Sequence, residues 1–375
     1  MSVDVRLVGD RRPAIHDWVK VPFALHRDDP CWVPPLRGEA RRALDRRRNP
    51  FFRHADVEHF VAYDDSDIAV GRIAATIYPA HHARFGDMTG FFGFFEAVDD
   101  PAVARALLTT AEDWLAERGM RRVAGPYNYC STQEMGLLVD GFDAAPTIFQ
   151  TYNPPRYVGA LQTNGYAPAF SMSTYHFRVS KAGEQTRVAI KAGDAALAAE
   201  ALRVRRLDRR RYADEMETLR RLFNTAFADN HDVLPYEHDV FHAMVRPLKP
   251  FVDPRLIAFV ERDGEPVAFT VMVPDLNALL HQLGGRLTPW SAITLKRRLR
   301  RIDSAVILLI GALPQARHTG IGRALVGEII RGIGEGGYEH VHTTWVHEHN
   351  APVFSLVAQF DADVVRRYAI YDRTL

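Results

Sequence analysis

The segment LLIGALPQARHTGIGRALVGEIIRGIGEGGY restricts the fold more than any other part of the chain. An apolar strand, residues 305–313, ends at Pro314, and a short loop leads through Gly320-Ile321-Gly322 into a helix. Glycines at a strand-to-helix turn let the backbone approach a ligand, and the N–H groups of the first helical turn point at an anion. Arg317 and Arg323 add positive charge. The sequence therefore predicts an α/β protein with a diphosphate site at this turn.

Two glycines at such a turn are weak evidence by themselves, and a purely structural glycine-rich turn is the alternative. The segment is not a Walker loop, because the Lys-Ser/Thr pair is absent, and it lacks the third glycine of the dinucleotide fingerprint. The motif that it does contain is Arg317-x-x-Gly320-x-Gly322, directly after a strand and a proline.

Two stretches of the chain read alike, which indicates a duplicated domain. Residues 60–77 and 257–273 each consist of a strand, an acidic turn and a second strand, as in a β-hairpin. The spacing of roughly 200 residues favours an internal repeat, with chance similarity as the alternative. We predict one domain over residues 1–180, a linker over 181–201 that is either extended or loosely helical, and a second domain over 202–375.

The Arg-x-x-Gly-x-Gly motif resembles the coenzyme A pyrophosphate loop of the GNAT acyltransferases. The following strand, helix and strand resemble the end of a GNAT domain, with Asn350 as the asparagine that opens the last helix. The resemblance implies two tandem GNAT-like domains (α/β, α+β), each a mixed, mostly antiparallel sheet flanked by helices. It implies that only the second domain holds acyl-coenzyme A, since the first lacks the motif. The implied cofactor residues are Ile310, Ala312, Leu313, Arg317, His318, Thr319, Gly320, Ile321, Gly322, Arg323 and Asn350.

Three further motifs, NPFF near 49, GFFGFFE at 90 and YNPPRY at 152, resemble a bacterial acyl-lipid group of tandem-GNAT proteins that includes a sphingolipid-forming enzyme. The resemblance implies transfer of an acyl group from acetyl-coenzyme A or a longer acyl-coenzyme A to an amine, with a lipid-like, sphingoid-type amine as the expected acceptor. The alternatives are a small-molecule N-acetyltransferase and a non-catalytic coenzyme A sensor or scaffold.

The sequence departs from the family pattern at the groups that move protons. Val357 stands where many GNAT enzymes have a tyrosine, and the strand before the loop has no glutamate. The segment 125–143 is rich in polar and aromatic side chains, which suits an acceptor pocket. Glu134 is the first candidate for a general base, with a hydrogen-bonded structural loop as the alternative. The expected acceptor contacts are Asn128, Tyr152, Asn153, Asn230, His231 and Glu237.

Composition excludes several other functions. Lys plus Arg is 47 and Asp plus Glu is 46, so the near-neutral chain lacks the basic excess of a nucleic-acid binder. Two cysteines predict no disulfide framework, and the amino terminus has no signal-peptide pattern, so a cytoplasmic protein is expected. The His-x-His pairs at 340 and 347 lack a carboxylate cluster, and we expect no metal. The insert 276–303, with Trp290 and a basic run from Lys296, is either a membrane-surface contact or a packed lid.

Overall fold

The computed structural model describes residues 2–230, 233–288, 293–294, 297–317, 319–350, 353 and 357–375. Its internal contacts form two compact units. The first unit contains Met1–Met172, Asn277–Pro289 and Arg366–Leu375, and the second contains Ser173–Leu276 and Trp290–Val365.

Short strands and helices alternate along the chain. The strands are β1 Asp4–Leu7, β2 Asp56–Tyr63, β3 Ala69–Ile77, β4 Thr89–Ala97, β5 Arg122–Gly125, β6 Tyr127–Asn128, β7 Glu134–Met135, β8 Leu137–Asp140, β9 Ala167–Arg178, β10 Arg203–Arg206, β11 Ile257–Arg262, β12 Glu265–Pro274, β13 Ser304–Ala312, β14 His340–Thr343, β15 Val346–His347 and β16 Asp363–Thr374. The helices are α1 Arg12–Leu25, α2 Arg37–Leu44, α3 Pro79–Phe85, α4 Pro101–Ala116, α5 Arg156–Thr163, α6 Gly183–Ala199, α7 Tyr212–Ala226, α8 His238–Val245, α9 Asn277–Leu283 and α10 Ile321–Gly336.

The first unit is a sheet with the order β1-β2-β3-β4-β5, to which the end of β16 adds beside β5. Neighbouring strands are antiparallel except β4 and β5, which pair in parallel. Helix α4 buries an apolar stripe that includes Val103, Leu107 and Leu115 against this sheet. The spacing of these residues keeps them on one face of the helix, which is why the segment folds as an amphipathic helix.

The second unit repeats this pattern. Its sheet has the order β10-β11-β12-β13-β14, and the end of β9 pairs with β14. Strands β13 and β14 are the parallel pair, and α10 buries Ile329, Ile330 and Ile333 against the sheet. Both predicted hairpins are present, as β2–β3 and β11–β12. The predicted architecture, two similar domains with mixed, mostly antiparallel sheets, is confirmed.

The segment 181–201, predicted as linker-like or loosely helical, folds into the regular helix α6 over Gly183–Ala199. Its small residues form a packing face: a Cβ at Gly193 would lie 3.1 Å from the Cα of Gly327 on α10, and one at Gly327 would lie 3.3 Å from the Ala189 carbonyl oxygen. Glycine and alanine here allow two helices to approach closely, and the same composition in a sequence is typical of a flexible connection. The helix belongs to the second unit.

The compact units also differ from the predicted boundaries at the last strand. Residues Tyr371–Thr374 of β16 pair with β5, so the end of the chain belongs to the first unit. Residues His176–Arg178 of β9 pair with β14, so the end of the first half of the sequence belongs to the second unit. Pairing between strands that are distant in sequence cannot be read from the order of the elements alone.

Candidate functional site

In the second unit, β13 and β14 pair for only four residues and then separate. The parallel register joins Ser304–Ile307 to His340–Thr343, and the Thr344 N–H still donates to the Ile307 carbonyl oxygen at 2.9 Å. Strand β13 continues to Ala312 with β12 on one edge. No described residue pairs with residues 308–312 as a strand on the other edge. Such an edge can receive an extended ligand as an added strand.

This edge leads through a tight turn into α10. The Leu313 N–H donates to the Val267 carbonyl oxygen at 2.9 Å, and its own carbonyl accepts from the Ala316 N–H at 2.9 Å. The Thr319 hydroxyl donates to the Ala316 carbonyl oxygen at 2.8 Å and accepts from the Ile321 N–H at 3.3 Å. Thr319 therefore fixes the turn that precedes the helix. His318, also a predicted cofactor residue, lies outside the described residues.

The first turn of α10 offers backbone N–H groups to an anion. The first intrahelical bond of α10 runs from the Ala324 N–H to the Gly320 carbonyl oxygen, at 3.1 Å. The preceding N–H groups, those of Gly322 and Arg323, have no intrahelical acceptor, as at any helix start. Gly322 is exposed, and a Cβ there would meet nothing within 4 Å. The geometry at this position suits the approach of a phosphate.

Gly320 has a different role from Gly322. A Cβ at Gly320 would lie 2.9 Å from the Cβ of Ala196 on α6, which is tighter than side chains tolerate. The next residue, Ile321, is buried in the core beside Leu325. Gly320 and Ile321 therefore hold the turn against the rest of the unit, and Gly322 is the open position.

Positive charge accompanies the turn. Arg317 and Arg323 are both exposed. The Arg317 guanidinium donates to the Ala226 carbonyl oxygen at the end of α7, which holds its side chain at one place. Arg317 stands four residues before the start of α10, and guanidinium groups close to helix N–H groups favour diphosphate binding.

Two residues after β15 complete the predicted pattern. The Asn350 side-chain oxygen accepts from the Val353 N–H at 3.4 Å. Val357 is buried against Tyr175 and Val346 and lines a small apolar cavity together with Ile307 of β13. The position where many relatives of the GNAT type carry a tyrosine is therefore an aliphatic position without a proton donor.

Comparison with known proteins decides the family. No protein-family model matches the chain. A tandem GNAT protein from the clavulanic acid biosynthesis pathway has a similar structure, with a TM-score of 0.56, 11% identity and coverage of 100% of this chain and 98% of that protein. Bacterial ceramide synthase of Caulobacter vibrioides is 30% identical over 382 residues, which covers 100% of this chain and 98% of that protein.

The chain belongs to the tandem-GNAT family. Protein YghO of Escherichia coli is a further relative, 28% identical over 373 residues that cover 96% of this chain and 92% of that protein. A GCN5-related N-acetyltransferase from Sphaerobacter thermophilus shares the fold, with a TM-score of 0.52, 11% identity and coverage of 99% of this chain and 95% of that protein. The chain is thus a GNAT-type N-acyltransferase that uses an acyl-coenzyme A.

The first unit of this tandem-GNAT protein has a corresponding strand separation, which its own backbone fills. Strand β4 pairs with β5 only over Thr89–Phe91. Beyond it, the Phe94 N–H donates to the Asn128 side-chain oxygen at 2.7 Å, and a Cβ at Gly93 would lie 1.8 Å from the Tyr127 carbonyl oxygen. In the first unit, β6 therefore lies along this edge of β4. The corresponding edge of β13 has no strand neighbour among the described residues of the second unit.

Asn128 also holds the predicted base. Its side-chain N–H donates to the Glu134 carboxylate at 2.9 Å, across the short pair β6–β7. Glu134 is exposed to solvent, yet the protein that crowds around its carboxyl group raises its pKa; the Asn128 bond and the Arg72 charge oppose this shift. A carboxyl group with a raised pKa is a better proton acceptor than an ordinary one.

The two other acceptor candidates in the first unit, Tyr152 and Asn153, differ in burial and in their hydrogen-bond partners. The Tyr152 hydroxyl is half-buried and donates to the Asp29 carboxylate at 2.6 Å, and burial together with this bond raises its pKa. Asn153 is buried, accepts from the Leu138 N–H at 2.7 Å and donates to the Leu138 carbonyl oxygen at 3.1 Å. The Asn153 side-chain amide therefore pairs with the backbone of β8, and both its oxygen and its nitrogen are bonded to backbone groups.

The second-unit candidates lie between α7 and α8. Asn230 is exposed, and its N–H donates to the Phe227 carbonyl oxygen at 3.0 Å. Glu237 directly precedes α8, and its carbonyl oxygen accepts from the Phe241 N–H at 2.9 Å. His231 lies outside the described residues. The structure keeps Asn230 and Glu237 on one connecting segment.

A buried charged cluster in the first unit was not predicted. Glu96 of β4 accepts from the His26 ring nitrogen at 2.8 Å and from the Tyr157 hydroxyl at 3.0 Å, and Arg72 lies 3.7 Å away. Burial disfavours the ionised Glu96, but these bonds and the Arg72 charge outweigh it and lower its pKa. The signal in the sequence was a single glutamate that ends the apolar stretch GFFGFFE.

Among the described residues, no helix has the length and apolar character that crossing a membrane requires.

Proposed function

We propose that this N-acyltransferase binds acyl-coenzyme A in its second unit, with the pantetheine arm along β13 at Ile310–Leu313 and the diphosphate at the start of α10. The observation that carries the proposal is the separation of β13 from β14, which leads directly to the unbonded N–H groups of Gly322 and Arg323. Thr319, Gly320 and Asn350 shape this site, and Arg317 and Arg323 supply its charge.

In the proposed reaction a neutral amine attacks the thioester carbonyl. A C–N bond forms, the C–S bond breaks, and the coenzyme A thiolate leaves and takes up a proton. We propose Glu134 as the base that removes the amine proton, because its pKa is raised and Asn128 orients it. Val357 cannot protonate the thiolate, so solvent water is the proposed acid.

The proposed acceptor is a lipid-like, sphingoid-type amine. Its support is the relative named bacterial ceramide synthase, which is similar along the whole chain. Tyr152, Asn230 and Glu237 are the proposed polar contacts of an amino alcohol.

A peripheral membrane contact fits such a substrate. Ile293 has 74% of its surface exposed, and the exposed Arg297, Arg300 and Arg301 follow it in the chain. An exposed apolar side chain beside several cations suits an anionic lipid surface. The predicted members Trp290 and Lys296 lie outside the described residues.

Turnover measurements test the proposal. The full chain is incubated with acetyl- or long-chain acyl-coenzyme A and either a sphingoid base or a short polar amine, and both thiol release and the N-acyl product are quantified. We expect the long-chain amine to react at least about tenfold faster at equal concentration. Equal or faster turnover of the short amine would contradict the lipid acceptor and favour a small-molecule N-acetyltransferase.

The role of Glu134 has its own test. Glu134→Gln should lower kcat by roughly 10²–10⁴-fold, the usual contribution of a general base. In the wild type, kcat should fall as the pH drops through the raised pKa of Glu134, and the variant should lose this pH dependence. The matched control is Glu117→Gln, whose side chain is exposed in the same unit. An unchanged kcat and pH profile in the Glu134 variant would remove the assignment.

A further inference from the structure

Glu217 of α7 and two histidines of α8, His238 and His242, form a cluster away from the turn at α10. The Glu217 Oε2 lies 3.1 Å from the His242 Nε2 and 3.7 Å from the His238 Nε2. One ligand atom from each residue lies within 4.8 Å of the other two. The two histidines are one helical turn apart, so both rings face the same side of α8.

We propose that Glu217, His238 and His242 bind one divalent transition-metal ion, with Zn²⁺ as the best fit. Two imidazoles and one carboxylate are a common set of three protein ligands for zinc, with water as the fourth. Zinc bonds of about 2.0–2.1 Å in a tetrahedron place ligand atoms roughly 3.4 Å apart. The two observed distances from Glu217 to the histidine nitrogens lie on either side of this value.

Arg220 prepares the carboxylate for this role. Its Nη2 donates to the Glu217 Oε1 at 2.8 Å, and its Nε donates to Oε2 at 3.0 Å. These two bonds hold the carboxylate in one orientation. Coordination through Oε2 leaves the bond from Arg220 to Oε1 in place. A hydrogen bond to the second oxygen is how outer partners orient a ligating carboxylate.

The ion would join the first turn of α8 to α7. Arg220 Nη1 also donates to the Tyr236 carbonyl oxygen at 2.9 Å, and the Asn224 side chain accepts from the Tyr236 N–H at 2.8 Å. The end of the connecting segment is thus already fastened to α7, and a metal would fasten the start of α8 beside it. The proposed role is structural, and it does not depend on the acyl acceptor or on the coenzyme A site.

Metal titration of the full chain tests this inference. Metal is first removed with a chelator, and the chelator is then removed by dialysis. Zn²⁺ binding is measured by calorimetry, and Co²⁺ binding is measured by visible absorption. We expect one Zn²⁺ per chain, a tetrahedral Co²⁺ spectrum and a rise in Tm with Zn²⁺, since an ion that binds only the folded state stabilises it.

Variants locate the site. His238→Ala and His242→Ala should each weaken Zn²⁺ binding by at least about 100-fold, because even outer-shell losses cost roughly 10–100-fold. His238 has 67% of its side chain exposed, so its variant should keep the metal-free Tm. The control is the double variant His347→Ala, His349→Ala, which removes two neighbouring histidines elsewhere and should leave Zn²⁺ binding unchanged. Zn²⁺ binding that is absent, or that survives both α8 substitutions, would overturn the inference.

Discussion

The two units begin their central helices in opposite ways. In the first unit, the Asp100 carboxylate accepts from the Ala102 N–H at 2.8 Å at the start of α4, and β6 covers the edge of β4. In the second unit, the start of α10 has Gly322 in open space and N–H groups without intrahelical acceptors. The same arrangement of strand and helix thus has a capping side chain at the helix start in the first unit and open space at the helix start in the second unit. The fold is therefore compatible with both a capped and an uncapped start of this helix.

The largest effect is expected when a carboxylate is placed at the open start of α10 in the second unit. Gly322→Asp should reduce coenzyme A affinity by at least about 100-fold, because like charges about 4 Å apart repel by about 4 kcal/mol near a protein surface. Calorimetric titration with coenzyme A measures the change. Gly322→Ala, which adds a Cβ into open space, is the control and should stay within about threefold of the wild type. Wild-type affinity in the Asp variant would place the diphosphate elsewhere.

The second largest effect concerns the packing of Gly320. Gly320→Ala should lower the free energy of unfolding by about 1–3 kcal/mol, the usual cost of overpacking, because its Cβ would meet Ala196 at 2.9 Å. Denaturant titration measures it, and Ala196→Gly in the same chain should recover part of the loss. If the free energy of unfolding of Gly320→Ala equals that of Gly322→Ala, then α6 can move away from the added Cβ without loss of stability.

Charge beside the turn should contribute less. Arg317→Gln should weaken coenzyme A binding about tenfold, or about 1.4 kcal/mol, since a hydrogen bond to a charged group contributes about that much. The affinity of the variant should also depend less on salt than that of the wild type. Arg187→Gln on α6, where the side chain is 79% exposed, is the matched control. Equal salt dependence in both variants would argue against a contact between Arg317 and the diphosphate.

The smallest expected effect on coenzyme A affinity comes from a substitution at the start of α4 in the first unit. Asp100→Ala should cost about 1 kcal/mol of stability through loss of the helix cap, with coenzyme A affinity and stoichiometry unchanged. Thermal melting and calorimetry measure the two quantities together. A change in coenzyme A binding would mean that the first unit takes part in holding the cofactor.

Much of this frame could be predicted because its signals are local. The hairpins, the strand before Pro314 and the helix after Gly320 each follow from periodicity and turn residues within about fifteen positions. The motif also marked Gly322, yet it could not separate the two glycines. The packing role of Gly320 depends on Ala196, which is distant in sequence.

The features that were missed depend on distant partners. The small residues of α6 were interpreted as linker-like or loosely helical, and their packing role was missed because Gly327, which packs against Gly193, is more than a hundred positions away. Asn153 was predicted to contact a substrate, whereas its amide bonds the backbone of Leu138. The His-x-x-x-His spacing of α8 was visible in the sequence, but Glu217 lies on another helix, and only the fold brings the three together.

A crystal structure of the chain in complex with coenzyme A tests the central claim most directly. The account predicts one coenzyme A per chain, with its diphosphate within hydrogen-bond distance of the Gly322 and Arg323 N–H groups and its pantetheine beside residues 310–313. Coenzyme A bound at the start of α4, or along β4 with β6 displaced, would contradict it.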